Sequence, residues 1–490
     1  MKKVIVIGSG LSSLAGACYL SKEGYDVLVL EKNNYLGGRL RQLSKEGFTF
    51  DMGPSFYWMP DVFERFFNDF GYTTSDFYKL IKLDPGYRIY FGKNDSLDIH
   101  SDFNKILESF EYIEKGSGNK LKKFIEEAKK NYSIAIDDLV YEPGVSIFEI
   151  VTPETVFKIN EFFISIRTKV RNTFNDYRLR YALEFPSLFL GAKPENTPMF
   201  YNFMNYADYG LGTWHPEGGM YKVAEALVKL GKSLGVKYKV NQEIKSFKFN
   251  GNQIEKVITQ NNEYDADIVL SGADYAYTES LLPEDKRQYS KSYWDSRIFA
   301  PSTLLFYVAF NKKLDNVLHH TLFFDASYDD HAKTIYDKPE YPAKPLFYSS
   351  FASKTDKSFA PEGKDAGVFL IPIAPGLQDN NEIRERYFNI VINRLEEITQ
   401  QSVKNDILFY ESFSVNDFIN DYHSFKGNAY GLANTLLQTH YFRPKLKSDK
   451  VKNLYFCGQL TVPGPGLPPS LISGKLAATQ IIKNFKTVKV

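Results

Sequence analysis

From Lys3 onward the chain switches between unbroken apolar runs and periodic ones. Val4-Ile5-Val6-Ile7 is an uninterrupted β-branched run, the pattern of a strand buried on both faces of a parallel sheet. Leu11, Leu14, Ala15, Cys18 and Tyr19 then recur at helical spacing, and Gly24 follows where a C-terminal cap belongs. Tyr25 to Leu30 restarts a strand. The other end of the chain repeats the theme, with a strand through Leu454 to Phe456, a turn at Gly458, a rigid proline-glycine loop and a helix predicted to begin near Ser470. A helical segment is predicted over 151–192, where VFKINEFFISIRTKVRNTFNDYRLRYALEF mixes aromatics with Arg167, Lys169, Arg171, Arg178 and Arg180.

The first strand-helix-strand unit carries GSGLSSLAG at its turn, a G-x-G-x-x-G pattern with Ser13 in the third glycine's place. Gly8 permits the tight turn, Gly10 lets the backbone approach a pyrophosphate, and the helix N-terminus offers that anion free N–H groups. The third position needs only to be small, so Ser13 is tolerated. Glu31 closes the second strand, where a ribose-binding carboxylate belongs. The unit is therefore read as a dinucleotide site.

Composition narrows the remaining choices. The chain of 490 residues has 60 Lys and Arg against 59 Asp and Glu, so its net charge offers no field that would draw nucleic acid. Cys18 and Cys457 are its only cysteines, which excludes a disulfide framework and a cysteine-built zinc cluster and suits a reducing cytoplasm. Glycine and serine interrupt the apolar N-terminus too early for a secretory signal, and no stretch approaches the ~20 apolar residues of a membrane span. The adjacent His319 and His320 are expected on opposite faces of a strand, so no metal site is assigned. No second fingerprint offers a nicotinamide site.

EKNNYLGGRLRQ and GFTFDMGPSFYWMP make the reading specific. Glu31, Gly37-Gly38-Arg39 and Asp51-Met52-Gly53-Pro54-Ser55 resemble the FAD-binding opening of the amine oxidase and phytoene desaturase superfamily. GTWHPEGGMYKVAEALVKLGKSLGVKYKVNQEI resembles its central FAD-contacting segment, which leads to Ile244. VPGPGLPPSLISG, with LHHTLFF, TDKSFAPEG and FRP at 442–444, is similar to bacterial-type phytoene desaturases over nearly the whole chain.

The resemblance implies an α/β fold: a discontinuous, Rossmann-like FAD domain of the glutathione reductase type, drawn from residues 1–100, 210–285 and 430–490. A helical, membrane-facing segment at 101–209 and a mixed-sheet substrate domain at 286–429 would complete it. FAD is the implied cofactor, touched by Gly8, Gly10, Ser13, Glu31, Gly38, Arg39, Gly53, Pro54, Ser55, Ile244, Gly458 and Leu467. Arg39 would bring a forked cation to the pyrophosphate. Gln459 stands where many relatives have an acid, so an amide would hydrogen-bond a hydroxyl there in place of a carboxylate.

The implied reaction is desaturation of an apolar C40 polyene, phytoene to lycopene-type products, with the flavin taking the hydride and dioxygen or a quinone the electrons. Alternatives are a related desaturase or isomerase acting on a C30 or hydroxylated carotenoid, and a non-catalytic prenyl-binding protein of the GDP-dissociation-inhibitor fold. Asp176 and Arg180, one helical turn apart in NDYRLR, are candidate proton-handling residues, against a surface ion pair. The cationic segment is expected to meet lipid phosphates, giving a cytoplasmic protein attached peripherally to the membrane.

Overall fold

A computed structural model describes residues 1–485. The β-branched run forms β1 (Lys3–Ile7), flanked by β2 (Asp26–Leu30) and, on the other side, by a strand from far along the chain. With β3 (Lys237–Lys239), β4 (Ile268–Ser271) and β5 (Leu454–Phe456), the sheet has the order β5-β4-β1-β2-β3. All four pairings are parallel. Three distant stretches thus end their strands along one sheet edge, where an open α/β fold places its ligand.

Two helices, α1 (Leu11–Lys22) and α2 (Leu467–Asn484), cross on small residues. A Cβ added at Gly474 would lie 2.3 Å from the Ser12 carbonyl oxygen, and one at Gly16 3.3 Å from that of Gly474. This close approach explains why α1 is buried nearly all round. α2 starts at Leu467 rather than near Ser470. Pro468 and Pro469 occupy its first turn, where the N–H groups they lack would have had no intrahelical partner.

The second sheet has seven strands in the order Ile407–Phe413, Ser302–Phe310, Asp365–Ile373, Phe347–Ser350, His320–Phe323, Tyr87–Gly92, Asp95–Ile99. Strand Ser302–Phe310 is buried at every position because it pairs on both edges and is covered on both faces. Helix Asn381–Thr399 lays Tyr387, Val391 and Leu395 into the same core as Phe306 and Ile371. Tyr87–Gly92, drawn above with the first FAD segment, pairs in parallel with His320–Phe323. Alternation in the sequence marks a strand but does not name its partner.

Residues 101–209 are helical, but the run expected over 151–192 is broken into Pro153–Phe157, Ile159–Phe163, Ile166–Thr173 and Tyr177–Glu184. The breaks fall where side chains cap the next helix: Ser165 Oγ accepts from the Thr168 N–H and the Asp176 carboxylate from the Arg178 N–H. Such caps compete with helix continuation. Among the described residues no helix is long and apolar enough to cross a membrane.

Candidate cofactor site and cavity

The cradle is built from glycines that have no room for, or no neighbour against, a side chain. Gly8 has φ +83°. Gly10 caps α1, and a Cβ there would meet nothing within 4 Å. Gly10 lines the main cavity, so that open side is cavity space. Gly38, at φ +60°, would set a Cβ 3.0 Å from the Gly10 Cα, and one at Gly53 would fall 2.1 Å from the Arg39 carbonyl oxygen. Glycine is required at both places by backbone, which cannot swing aside.

Glu31 stands buried at the end of β2 and accepts hydrogen bonds from the Ser9 N–H (2.8 Å), the Ser9 hydroxyl (2.6 Å) and the Asn33 N–H (2.9 Å). These donors fix the carboxylate at the cavity wall. Arg39 donates from Nη2 to Ser424 Oγ at 2.6 Å and lies over the Tyr422 ring at 4.9 Å. Its Nε is buried with no hydrogen-bond partner. Burial holds the guanidinium below its ordinary pKa, opposed by Tyr422 and Asp274. A cation so placed, beside an open glycine turn and a helix N-terminus, fits a diphosphate.

At the opposite wall Gly458 takes φ +108° and Gly466, at φ +116°, caps α2. The intervening loop is tied from inside by Arg443, which donates to the carbonyls of Leu432 (2.9 Å), Gln459 (3.2 Å) and Thr461 (3.4 Å) and to Asn434 Oδ1. Burial lowers the Arg443 pKa to about 10. In the sequence Arg443 was visible only inside the FRP motif, and nothing there signals that it anchors a loop 16 residues on. The Gln459 amide donates to Asn428 Oδ1 at 3.2 Å. Ile244 begins an antiparallel strand, and its carbonyl accepts from Tyr277 OH at 3.2 Å beside a stacked Tyr277–His423 pair.

Gly8, Gly10, Glu31, Gly38, Arg39, Gly53, Pro54, Ser55, Ile244, Gly458 and Leu467 all line one cavity of about 600 Å³. Ser13 does not: its hydroxyl faces β4, lying 2.0 Å from where a Cβ of Gly272 would sit. Asp176 and Arg180 also lie off the cavity. Asp176 caps helix Tyr177–Glu184, and its carboxylate pairs with Arg178 rather than with Arg180 (2.8 Å and 3.0 Å). That hydrogen bond holds its carboxyl below the ordinary value despite desolvation. Arg180 is spent on the Phe174 carbonyl at 2.8 Å.

Beyond Ser55 the cavity continues between aromatic walls, with Phe56, Trp58, Phe185, Phe189, Phe200 and Phe324 among its lining. Phe56 packs edge-on against Trp58 and Phe189, both at 5.3 Å. The result is a polar, phosphate-ready half joined to an apolar half, the layout of a site that holds a cofactor against an oily substrate.

A family model for flavin-containing amine oxidoreductases matches residues 11–482. The chain belongs to that family. This family member is 38% identical over 488 residues to a carotenoid 3,4-desaturase of Haloarcula japonica, covering 98% of both chains. It is 30% identical to a zeta-carotene-forming phytoene desaturase of Myxococcus xanthus, covering 98% of this chain and 94% of that one. Its fold is that of an oxidoreductase from Methanosarcina mazei, with a TM-score of 0.66 at 18% identity over 98% of this chain and 100% of that one. The amine oxidoreductase-family chain is an FAD-dependent oxidoreductase, and the orphaned Arg39 Nε and the open face of Gly10 fit that cofactor.

Proposed function

We propose that this protein desaturates a C40 carotenoid, converting phytoene to lycopene-type products in carotenoid biosynthesis. The observation that carries the reading is the single cavity that joins the glycine cradle to the aromatic wall. In it Glu31 would hold the ribose, Arg39 and the α1 N-terminus the pyrophosphate, and the α2 N-terminus the far edge of the ring system. FAD, when bound, supplies the two-electron hydride acceptor that no side chain can provide. The protein's own part is to lay the polyene along Phe56, Phe185 and Phe189 and to keep water out. A quinone or dioxygen would take up the electrons.

A second reading, 3,4-desaturation of an already conjugated carotenoid, is favoured by the Haloarcula relative, which matches this chain nearly end to end. One experiment separates the two. The protein is expressed in bacteria that accumulate colourless phytoene and, in parallel, in bacteria that accumulate lycopene. Colour and successive two-hydrogen mass losses in the phytoene strain support the first reading. Unchanged phytoene with two-hydrogen losses from lycopene supports the second, and no change in either strain overturns both.

The polyene would be drawn from a membrane, but not by the cations first considered. Arg167 pairs with Glu195 and Asp329, Lys169 with Glu127, and Arg171 with Glu184 and Asp329. Large apolar side chains are exposed on the 145–163 stretch and the 436–442 loop: Phe148, Phe157, Phe163 and Leu437 are 79%, 88%, 75% and 71% exposed. The 145–163 stretch and the 436–442 loop meet at His440, 3.3 Å from Glu149. Contact with lipid would therefore rest on buried apolar area more than on charge.

A further inference from the structure

Of the chain's seven histidines, three lie side by side in the core: His215, His319 and His320 are 1%, 5% and 0% exposed. His319 precedes the strand that starts at His320, so the two rings do not take opposite faces as expected; their centroids are 4.4 Å apart, with His215 another 4.7 Å beyond His319. Among the described residues no group of three or more His, Cys, Asp or Glu could hold a metal ion. The row instead points at the cavity. His320 Nδ1 is 2.6 Å from Tyr348 OH, and that hydroxyl is 2.7 Å from Ser55 Oγ. Tyr348 and Ser55 line the cavity.

Two observations argue against a purely structural role. His331, also buried, has both ring nitrogens satisfied, by the Leu346 N–H at 2.9 Å and the Pro372 carbonyl at 2.8 Å. His320 Nε2 is buried with no partner, a cost that a packing residue would avoid. The place is also particular. Ser55 closes the Gly53-Pro54-Ser55 segment of the cradle and Phe56 opens the aromatic wall, so Tyr348 OH sits where the two halves of the cavity meet.

We propose that Tyr348 takes the proton that the carotenoid loses on desaturation and passes its own proton to His320, an inference that rests on the carotenoid reading above. Desaturation removes a hydride from one carbon and a proton from its neighbour. FAD, when bound, would supply the acceptor for the hydride, and the electron pair of the second C–H bond becomes the new π bond. Its proton goes to the Tyr348 oxygen as the Tyr348 O–H proton moves to His320 Nδ1, leaving a neutral tyrosine and an imidazolium. Tyr348 is thus the catalytic residue, and His320 the positioning residue that makes its oxygen basic. Burial pushes the Tyr348 phenol up and, with His215 nearby, the His320 imidazolium down, so both rest neutral. A carbon next to one that has lost hydride is acidic enough for such a weak base.

The transient charge has two supports. His320 is stacked on Phe56, 4.1 Å between centroids and 15° from parallel, where a cation meets the face of the ring. At the far end of the row the Asp356 carboxylate lies 3.4 Å from His215 Nε2. Desolvation pushes Asp356 up, but hydrogen bonds from His215, Ser358 and the Gly218 N–H outweigh it and keep it ionised.

The test uses the FAD-loaded protein, mixed anaerobically with phytoene in phosphatidylcholine vesicles, and with lycopene if the second reading holds. Flavin bleaching is followed in H2O and D2O beside FAD content and carotenoid binding. The wild type should bleach more slowly in D2O. Tyr348→Phe should bleach at least about a hundredfold more slowly, the scale of general acid-base catalysis, with FAD content and carotenoid binding unchanged and the solvent isotope effect gone. His320→Gln should be slowed less, and the double variant no more than Tyr348→Phe alone. If Tyr348→Phe does not fold, His320→Gln and the wild-type isotope effect decide. Tyr348→Phe bleaching at the wild-type rate, a wild type indifferent to D2O, or a loss explained by missing FAD or carotenoid would overturn the relay. A wild type bleached by neither carotenoid overturns the carotenoid reading, and the relay with it.

Discussion

Ser13 shows how one residue's requirement can be read correctly in kind while its cause stays hidden. It is small, as expected, but what limits it is Gly272 at the end of β4, not the cofactor. Gly272→Ala should therefore destabilise the fold, and Ser13→Gly should recover part of the loss, a coupling measurable by chemical denaturation of the two single variants and the double. Glu31 carries a different load. Its carboxylate gathers three donors at the cavity wall, and a charge-assisted bond to a ribose hydroxyl contributes ~1.5–3 kcal/mol. Glu31→Ala should weaken FAD about ten- to a hundredfold, read from flavin fluorescence on titration of apoprotein. Unchanged affinity would place the ribose elsewhere.

At the scale of elements, helix Tyr328–Tyr336 is fastened to strand Asp365–Ile373 through His331. Burial lowers the His331 pKa from 6.5 to about 4. A group depressed on folding is protonated first in the unfolded chain, so its contribution is complete above about pH 6.5 and is lost as pH falls toward 4. The loss across that window should be about 3 kcal/mol, and His331→Gln should flatten the dependence of denaturation midpoint on pH between 7 and 4.5. The broken helices of 153–173 make a second prediction. Because their cations are paired, sedimentation with vesicles containing anionic phosphatidylglycerol should resist 0.5 M salt, where the Debye length has fallen to about 4 Å, while Phe157→Ser with Phe163→Ser should release the protein. Release by salt with no effect of the serines would restore the charge-driven picture.

On the scale of the whole molecule, one cavity draws its lining from three remote stretches of chain, between Ile7 and Ser55, between Gln242 and Tyr277 and between Cys457 and Ser470. Saturating FAD at a hundred times its Kd should stabilise the fold by about 2.7 kcal/mol, and limited proteolysis should slow in all three stretches together; protection of only one would mean that the site is not shared. The cradle was legible because its requirements are local: a β-branched run, glycines at a turn, an acid at a strand end and an arginine behind a glycine pair each follow from backbone geometry or a single charge. What the sequence could not decide is what meets across the fold. Asp176 and Arg180 looked like a pair until the Asp176 carboxylate capped the helix and turned to Arg178, and Arg167, Lys169 and Arg171 looked free for lipid until carboxylates from 127, 184, 195 and 329 closed on them. Tyr348 and His320, 28 residues apart on neighbouring antiparallel strands, carry no motif between them. Their pairing, and with it the candidate base, exists only through strand register, which depends on burial across the whole sheet and is not written in either strand alone.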